Sequence, residues 1–522
     1  MAEPWTGKWR DLAFRVELRS LGSDGGSTLR IGPASGGPDA PEWLRFDCFD
    51  ENPHWHVAPS EHDEVQALVE LDDPVGEVFE MLDRDLPRLL ERAGAPAPIV
   101  AGVVSKADDG DAIEKSDATE GRRFFRDAER AMRHRPAVLD ELDIRLLQHH
   151  RKSAKWHYFP PDVLPAWVAE MDFPLAAPIQ AELSRLVSAS DVGYPIGDQE
   201  SGLPDAFSER MNDRFGWNPD SARVEILSEV VQGMYIAIEA FSEVGDGAIV
   251  QTPIYPPFLS AVADTGRRLI ENPLISTGSQ LDFDLDALPG LIDAKTRLFL
   301  LCNPHNPSGR VMRREELDRI AALAIEHDLT VISDEIHADL LYDGHVHIPF
   351  ASLGPEIEER TVTLTSASKA FNIPGLRCAV AHFGSTELHE RFNQLHPAHI
   401  RGGIGLLGIY ASIAAWRWGQ PWLDEVIAYL QANRDYALQA FQERIPEIRF
   451  YPPESTYLAW LDCSALDLEG SPAAHFMKHG HVALSGGRRF GDAWDQYVRL
   501  NFATSRPILT DVIDRMAKAL SR

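Results

Sequence analysis

Cysteine is scarce. The 522 residues hold four, Cys48, Cys302, Cys378 and Cys463, and none share the close spacing of a zinc ribbon or a disulfide framework. Basic residues are outnumbered, 50 Lys and Arg against 80 Asp and Glu. The resulting net charge of −30 argues against nucleic acid or an anionic membrane as the main partner. No apolar run has the length of a membrane span and no leader pattern opens the chain, so a reducing cytoplasm is the expected compartment. No internal repeat is visible. The chain does have 44% hydrophobic and 25% charged residues, the balance of a globular enzyme with a large core. Its length suggests about three or four domains.

Residues 1–98 read as one small α+β domain. Ala13–Arg19 and Ser27–Ile31 alternate as half-buried strands do, and Trp43–Val57 carries more strand-like sequence. Asp73–Ala93 has the period of an amphipathic helix, with Val75, Val78, Phe79, Leu82, Leu86, Leu89 and Leu90 on one face. His54 and His56, near Asp47, Cys48 and Asp50, would share one side of a strand. No second spaced ligand pair follows, so the pattern reads as a polar strand face and no metal site is assigned. Residues 99–137 read as a linker and a charged connecting helix.

Strand-like and helical segments alternate from about Val138 to residue 390, the mark of an α/β layer fold with a mainly parallel sheet. Expected strands are Ala248–Thr252, Arg268–Glu271, Arg297–Cys302, Thr330–Ser333, Thr361–Thr365 and Cys378–Phe383. Residues 138–395 form the large domain, with 138–175 contributing to a smaller one. Residues 396–522 supply a helical connection, Leu406–Ala432, and the rest of the small α+β domain.

Five motifs follow one another on this frame. SASKAFNIPGLR (366–377) leaves a buried strand, and strand ends are where open α/β sheets place ligands. Lys369, held there in apolar surroundings, can have a lowered pKa and form a Schiff base. Arg377 offers a planar fork for a phosphate. LCNPHNPSG (301–309) puts Asn306 at the sheet's edge. ISDEIHAD (332–339) ends a strand on Asp334, a carboxylate that burial obliges to find a cation. QTPIYPPF (251–258) presents the ring of Tyr255 for stacking, and YVRLNFA (497–503) suits Arg499 to bidentate capture of a carboxylate. Singly, Asp334 could pair with a histidine or cap a helix, Tyr255 could be core, and Arg499 could sit in a structural ion pair. Together and in this order, they point to a cofactor.

From about residue 140 the chain resembles the fold-type I, pyridoxal-phosphate-dependent class I/II aminotransferase family. It is most similar to the cystathionine β-lyase/C–S lyase branch, through LPAWVAEMDFP (164–174), KSAKW (152–156), DEIHAD and SKAFNIPGL. The resemblance implies a pyridoxal-phosphate-transferase fold and a site for pyridoxal 5'-phosphate. Lys369 matches the lysine that holds the cofactor and moves the Cα proton. Asp334 matches the partner of the pyridinium nitrogen, Asn306 the donor to the phenolic oxygen, and Tyr255 the stacking ring. Ser366, Ser368 and Arg377 match phosphate ligands, as do the backbone amides of Val230 and Val231 in LSEVVQGM (227–234). Tyr194, in GYPIG (193–197), matches a tyrosine given to the phosphate by the other subunit of a homodimer with shared sites. Arg499 matches the ligand of the substrate carboxylate. His337 stands where many aminotransferases have tyrosine, in agreement with the lyase branch. Glu229 stands where the phosphate cradle often has glycine, and the domain 1–98 has no counterpart in the family pattern.

The activity implied is C–S β-lyase cleavage of a cystathionine-like amino acid or cysteine S-conjugate to thiol, pyruvate and ammonia, with specialised metabolism of sulfur-containing natural products as one setting. An aminotransferase would use the same residues, and a decarboxylating or oxidatively deaminating enzyme is a further alternative. A regulator that binds the cofactor without turnover is disfavoured by the charge and by the absence of a basic helix-turn-helix.

Overall fold

The computed structural model divides into two compact units. One comprises Met1–Pro136, Ala176–Arg185 and Arg417–Trp422; the other comprises Ala137–Leu175, Leu186–Trp416 and Leu423–Arg522. The structure describes every residue except 1–3, 22–23, 36–39, 51, 61, 70–72, 105–111, 136, 279, 397–400 and 522, and only the backbone of 21, 102, 104 and 112–120.

In the first unit six strands form an antiparallel meander: β1 (Trp5–Trp9), β2 (Leu12–Leu21), β3 (Asp24–Pro33), β4 (Leu44–Phe49), β5 (His54–Val57) and β6 (Glu64–Ala67). The period of two sends Leu12, Phe14, Leu29, Ile31, Leu44, Phe46 and Val57 into one core. Helix α1 (Pro74–Arg92) covers it with Val78, Leu82, Leu86, Leu89 and Leu90. Asp73 caps this helix, its carboxylate accepting the Gly76 amide at 2.9 Å. Cys48 goes to this apolar face, so it is not a neighbour of the histidines on the polar side; burial raises its thiol pKa.

The segment expected to be a linker belongs to this unit. It contains α2 (Ala97–Val104) and α3 (Ala112–Arg133). Phe124 and Phe125 pack edge-on against Phe14, with ring centroids 4.9 and 5.6 Å away, and Ala128 and Met132 are fully buried. Residues 124, 128 and 132 recur at helical spacing, a stripe hidden among the charges that suggested a surface helix.

The second unit is built on a seven-stranded sheet. Its strand order is Arg268–Glu271, Gly247–Val250, Thr296–Cys302, Thr330–Asp334, Thr361–Thr365, Ala379–Phe383, Val224–Leu227. Ala379–Phe383 alone among them runs antiparallel to its neighbours. Six of these strands coincide, within two residues at either end, with those expected; the edge strand Val224–Leu227 is the seventh and is not among them. Thr361–Thr365 is buried throughout, as strands covered on both faces are. A four-stranded sheet forms from Arg449–Tyr451, Leu458–Asp462, Tyr497–Asn501 and Ser485–Gly486. The expected helical stretch Leu406–Ala432 is two helices, Leu406–Trp418 and Gln420–Arg444, interrupted at Gly419.

Candidate active site

Parallel strands deliver their carboxyl ends to one edge, and a cavity of about 220 Å³ opens there in the second unit. Cys302 and Asp334 end two adjacent strands at this edge, and Ser366 follows a third. Of the residues singled out in the sequence, Tyr255, Asn306, Asp334, His337, Ser366 and Lys369 line the cavity. Val230, Val231, Ser368 and Arg377 line it as well. Arg499 joins them through Asn306, whose Oδ1 accepts its NH1 at 2.9 Å. Tyr194 does not line the cavity; its side chain is wholly exposed.

Lys369 donates from Nζ to the Ala169 carbonyl at 3.0 Å. Burial, and secondarily the positive Arg499, lower its pKa to about 8 against the pull of Asp334. The loop beyond Lys369 is bent through two left-handed non-glycine residues, Asn372 (φ 55°) and Arg377 (φ 54°). Asn372 offsets that strain by gripping Met171, accepting its amide at 2.8 Å and donating to its carbonyl at 2.9 Å. The segment carrying Ala169 is thereby held beside the lysine. Lys155 fixes it from the other side in a buried pair with Asp172 at 2.9 Å, so the KSAKW and WVAEMDF motifs serve one structural purpose.

Asp334 is buried, and burial raises its pKa to about 7. Its Oδ1 accepts the Ile336 amide at 3.1 Å, and the charge of Lys369 opposes the rise. His337 is held neutral, its pKa pushed to about 3 by burial and by the charges of Lys369 and Arg499. Its Nδ1 has no hydrogen-bond partner. Arg499, buried over the ring of Phe490, also donates to the Trp167 carbonyl at 3.1 Å, and burial lowers its pKa to about 10. Ser366 donates to the Cys378 carbonyl at 2.6 Å and accepts the Ser368 amide at 3.0 Å.

Helix Val230–Phe241 begins at the cavity with Glu229 as its N-cap, and the Glu229 side chain does not cap it. Glu229 turns instead to Arg377, 3.0 Å away. This is how the chain accommodates a carboxylate in place of the usual glycine.

Two site residues escaped the sequence reading. Ala169 meets the lysine through its carbonyl, which any residue type could supply. Tyr457, at the bend just before strand Leu458–Asp462, donates its hydroxyl to the same carbonyl at 3.1 Å.

These residues fit pyridoxal phosphate. A buried carboxylate whose pKa burial has raised to about 7 suits a protonated ring nitrogen, the helix start leaves amides for a phosphate, and His337 Nδ1 is unpartnered.

Comparison with known proteins agrees. Residues 201–516 match the family Aminotransferase class I and II, and residues 10–115 match a domain of unknown function, DUF7700. The chain is 36% identical to cystathionine beta-lyase PatB of Bacillus subtilis (strain 168), over 69% of this chain and 93% of that one. The crystal structure of OvoB is 40% identical with a TM-score of 0.68, covering 71% of this chain and 97% of that one. The PLP-bound C–S lyase of Staphylococcus hominis is 28% identical with a TM-score of 0.68, covering 74% and 99%. The chain belongs to the aminotransferase class I and II family, in its cystathionine β-lyase/C–S lyase branch, and is a pyridoxal-phosphate-dependent enzyme.

Proposed function

We propose that this C–S lyase cleaves a cysteine S-conjugate or cystathionine-like amino acid, with one water, to a thiol, pyruvate and ammonium. The observation that carries the reading is one cavity shared by a lysine of depressed pKa and a buried carboxylate, with an arginine bonded to the asparagine on its wall. Pyridoxal phosphate, when bound, supplies an electron sink for the charge developing at the substrate Cα. Lys369 would hold the cofactor through Nζ and would take the proton from the substrate Cα. Asp334 would face the ring nitrogen and keep it protonated. Tyr255 would stack on the ring, Asn306 would donate to its phenolic oxygen, and His337 would offer its neutral imidazole to the same cofactor. Val230, Val231, Ser366, Ser368 and Arg377 would hold the phosphate. Arg499 would dock the substrate carboxylate, and the two anion clamps together would orient the Cα–H bond.

Product analysis tests the activity. With cystathionine and a panel of cysteine S-conjugates, pyruvate and free thiol appear without any amino acceptor. A keto acid formed only when an acceptor is added would instead mean transamination.

Glu229 sits beside the proposed phosphate ligand Arg377, so its charge opposes cofactor binding. Glu229→Gln should tighten pyridoxal phosphate about tenfold in equilibrium dialysis, because it removes a negative charge from beside the proposed phosphate site. Unchanged affinity would mean that Glu229 swings clear of the phosphate.

The site is proposed to be completed in a homodimer, with Tyr194 reaching the partner's phosphate. Support comes from four exposed apolar side chains within one short stretch, Val187, Val192, Tyr194 and Ile196. Mixing inactive Lys369→Ala with impaired Tyr194→Phe chains should restore part of the activity, because one site of each mixed dimer carries neither lesion. A mixture no more active than its parents, after verified subunit exchange, would exclude shared sites. Among the described residues, no helix is long and apolar enough to cross a membrane.

A further inference from the structure

We propose that the polar face of the amino-terminal sheet binds a divalent transition-metal ion through Asp47, His54 and His56. Asp47 on β4 is the direct cross-strand partner of His54 on β5, and His56 lies two residues further along the same face. Adjacent strands therefore supply the third ligand that spacing along one strand could not. His54 Nε2 and His56 Nε2 lie 3.7 and 3.2 Å from Asp47 Oδ2, and one ligand atom from each of the three lies within 4.8 Å of the others. Ligands at metal distances of about 2.0–2.2 Å stand roughly 3 to 3.6 Å apart, close to the two histidine–carboxylate separations already present, and the two imidazoles must close to the same spacing.

The second observation is how the imidazoles are held. His54 Nδ1 donates to the Asn52 carbonyl at 2.7 Å, and His56 Nδ1 donates to Asp63 Oδ1 at 2.6 Å. Metal-bound histidines commonly give their other ring N–H to a carbonyl or carboxylate, which sets the tautomer and turns Nε2 to the ion. Here both Nε2 atoms face the same Asp47 oxygen, so the three side chains already converge on one point. Asp47 is itself oriented, its Oδ1 accepting Thr28 Oγ1 at 2.5 Å and Arg19 at 3.3 Å. Arg45 is the competitor: its Nε reaches Asp47 Oδ2 at 3.1 Å, and its NH2 lies 3.1 Å from His56 Nδ1 and 2.9 Å from His56 Nε2. Metal binding must displace that last contact. Two imidazoles and one carboxylate are the donor set of Zn²⁺, Co²⁺ or Fe²⁺ rather than Mg²⁺ or Ca²⁺.

The test uses the full chain, stripped with EDTA, dialysed, and titrated with Co²⁺ by visible absorption and with Zn²⁺ by calorimetry. One equivalent should bind with micromolar or tighter Kd. His54→Gln should weaken binding at least hundredfold, and Asp63→Asn, which touches no ion, about tenfold to a hundredfold. Arg45→Gln should tighten it. His54 is part-exposed, so its replacement spares the core, and circular dichroism melts of each variant separate a lost ligand from a lost fold. Absence of saturable binding below about 100 μM, or equal binding by wild type and folded His54→Gln, overturns the proposal; the latter would assign the ion to other histidines.

Discussion

Lys369→Ala should leave a folded protein that retains no cofactor covalently fixable by borohydride. Its kcat/KM should fall by about 10⁴-fold or more, because a nucleophile and a general base are lost together. The side chain is suited to both tasks by its surroundings. Burial and Arg499 lower its pKa to about 8, so a useful fraction is neutral amine near neutral pH. The check is borohydride reduction followed by peptide mapping, alongside steady-state kinetics. A variant that still carries reducible cofactor would move the Schiff base to another lysine and dismantle the proposed site.

Asp334→Asn should lower kcat roughly 10²- to 10³-fold with a much smaller change in KM, since a charge facing the ring nitrogen matters most where negative charge builds up. The same substitution has an opposite effect on the cofactor-free protein. Folding raises the Asp334 pKa from 3.8 to about 7 through burial. Between those values the folded state binds more protons than the unfolded, so this carboxyl costs stability as pH rises through that window. Cofactor-free Asp334→Asn should therefore melt above wild type at pH 8 and lose that advantage near pH 4. Cofactor loading should narrow or reverse the difference at pH 8, because a pyridinium pairs only with the carboxylate. A kcat equal to wild type would place the ring nitrogen elsewhere; equal melting of the cofactor-free proteins at pH 8 would mean that Asp334 finds solvent.

The large sheet and most of the site were legible in the chain because parallel strands covered on both faces are short, continuous apolar runs. Thr296–Cys302, which closes on the run LFLLC, could be read this way, and its final residue marks the ligand edge. Side chains with specific chemistry, such as Lys369, Asp334 and Tyr255, were recognisable there. Contacts made by backbone atoms were not, since the Ala169 carbonyl that receives Lys369 leaves no residue signature. Glu229 was visible as an anomaly, but its pairing with Arg377 joins residues 148 positions apart. Helix α3 was misread because the apolar stripe of Phe124, Ala128 and Met132 is outnumbered by charges, and the sheet it covers is built from the first 67 residues.

Local order thus determined which strands form, which residues end them, and which carry chemistry, because side-chain alternation and strand length are properties of a few neighbouring residues. Tertiary structure decided what meets what. Asn372 grips Met171 across 201 residues, Arg499 finds Asn306 across 193, and Asp47 completes a ligand triad only because antiparallel pairing sets it opposite His54. The physical reason is that each of these contacts depends on strand register and on the burial that makes an unpaired polar group costly, and both exist only once the chain has folded.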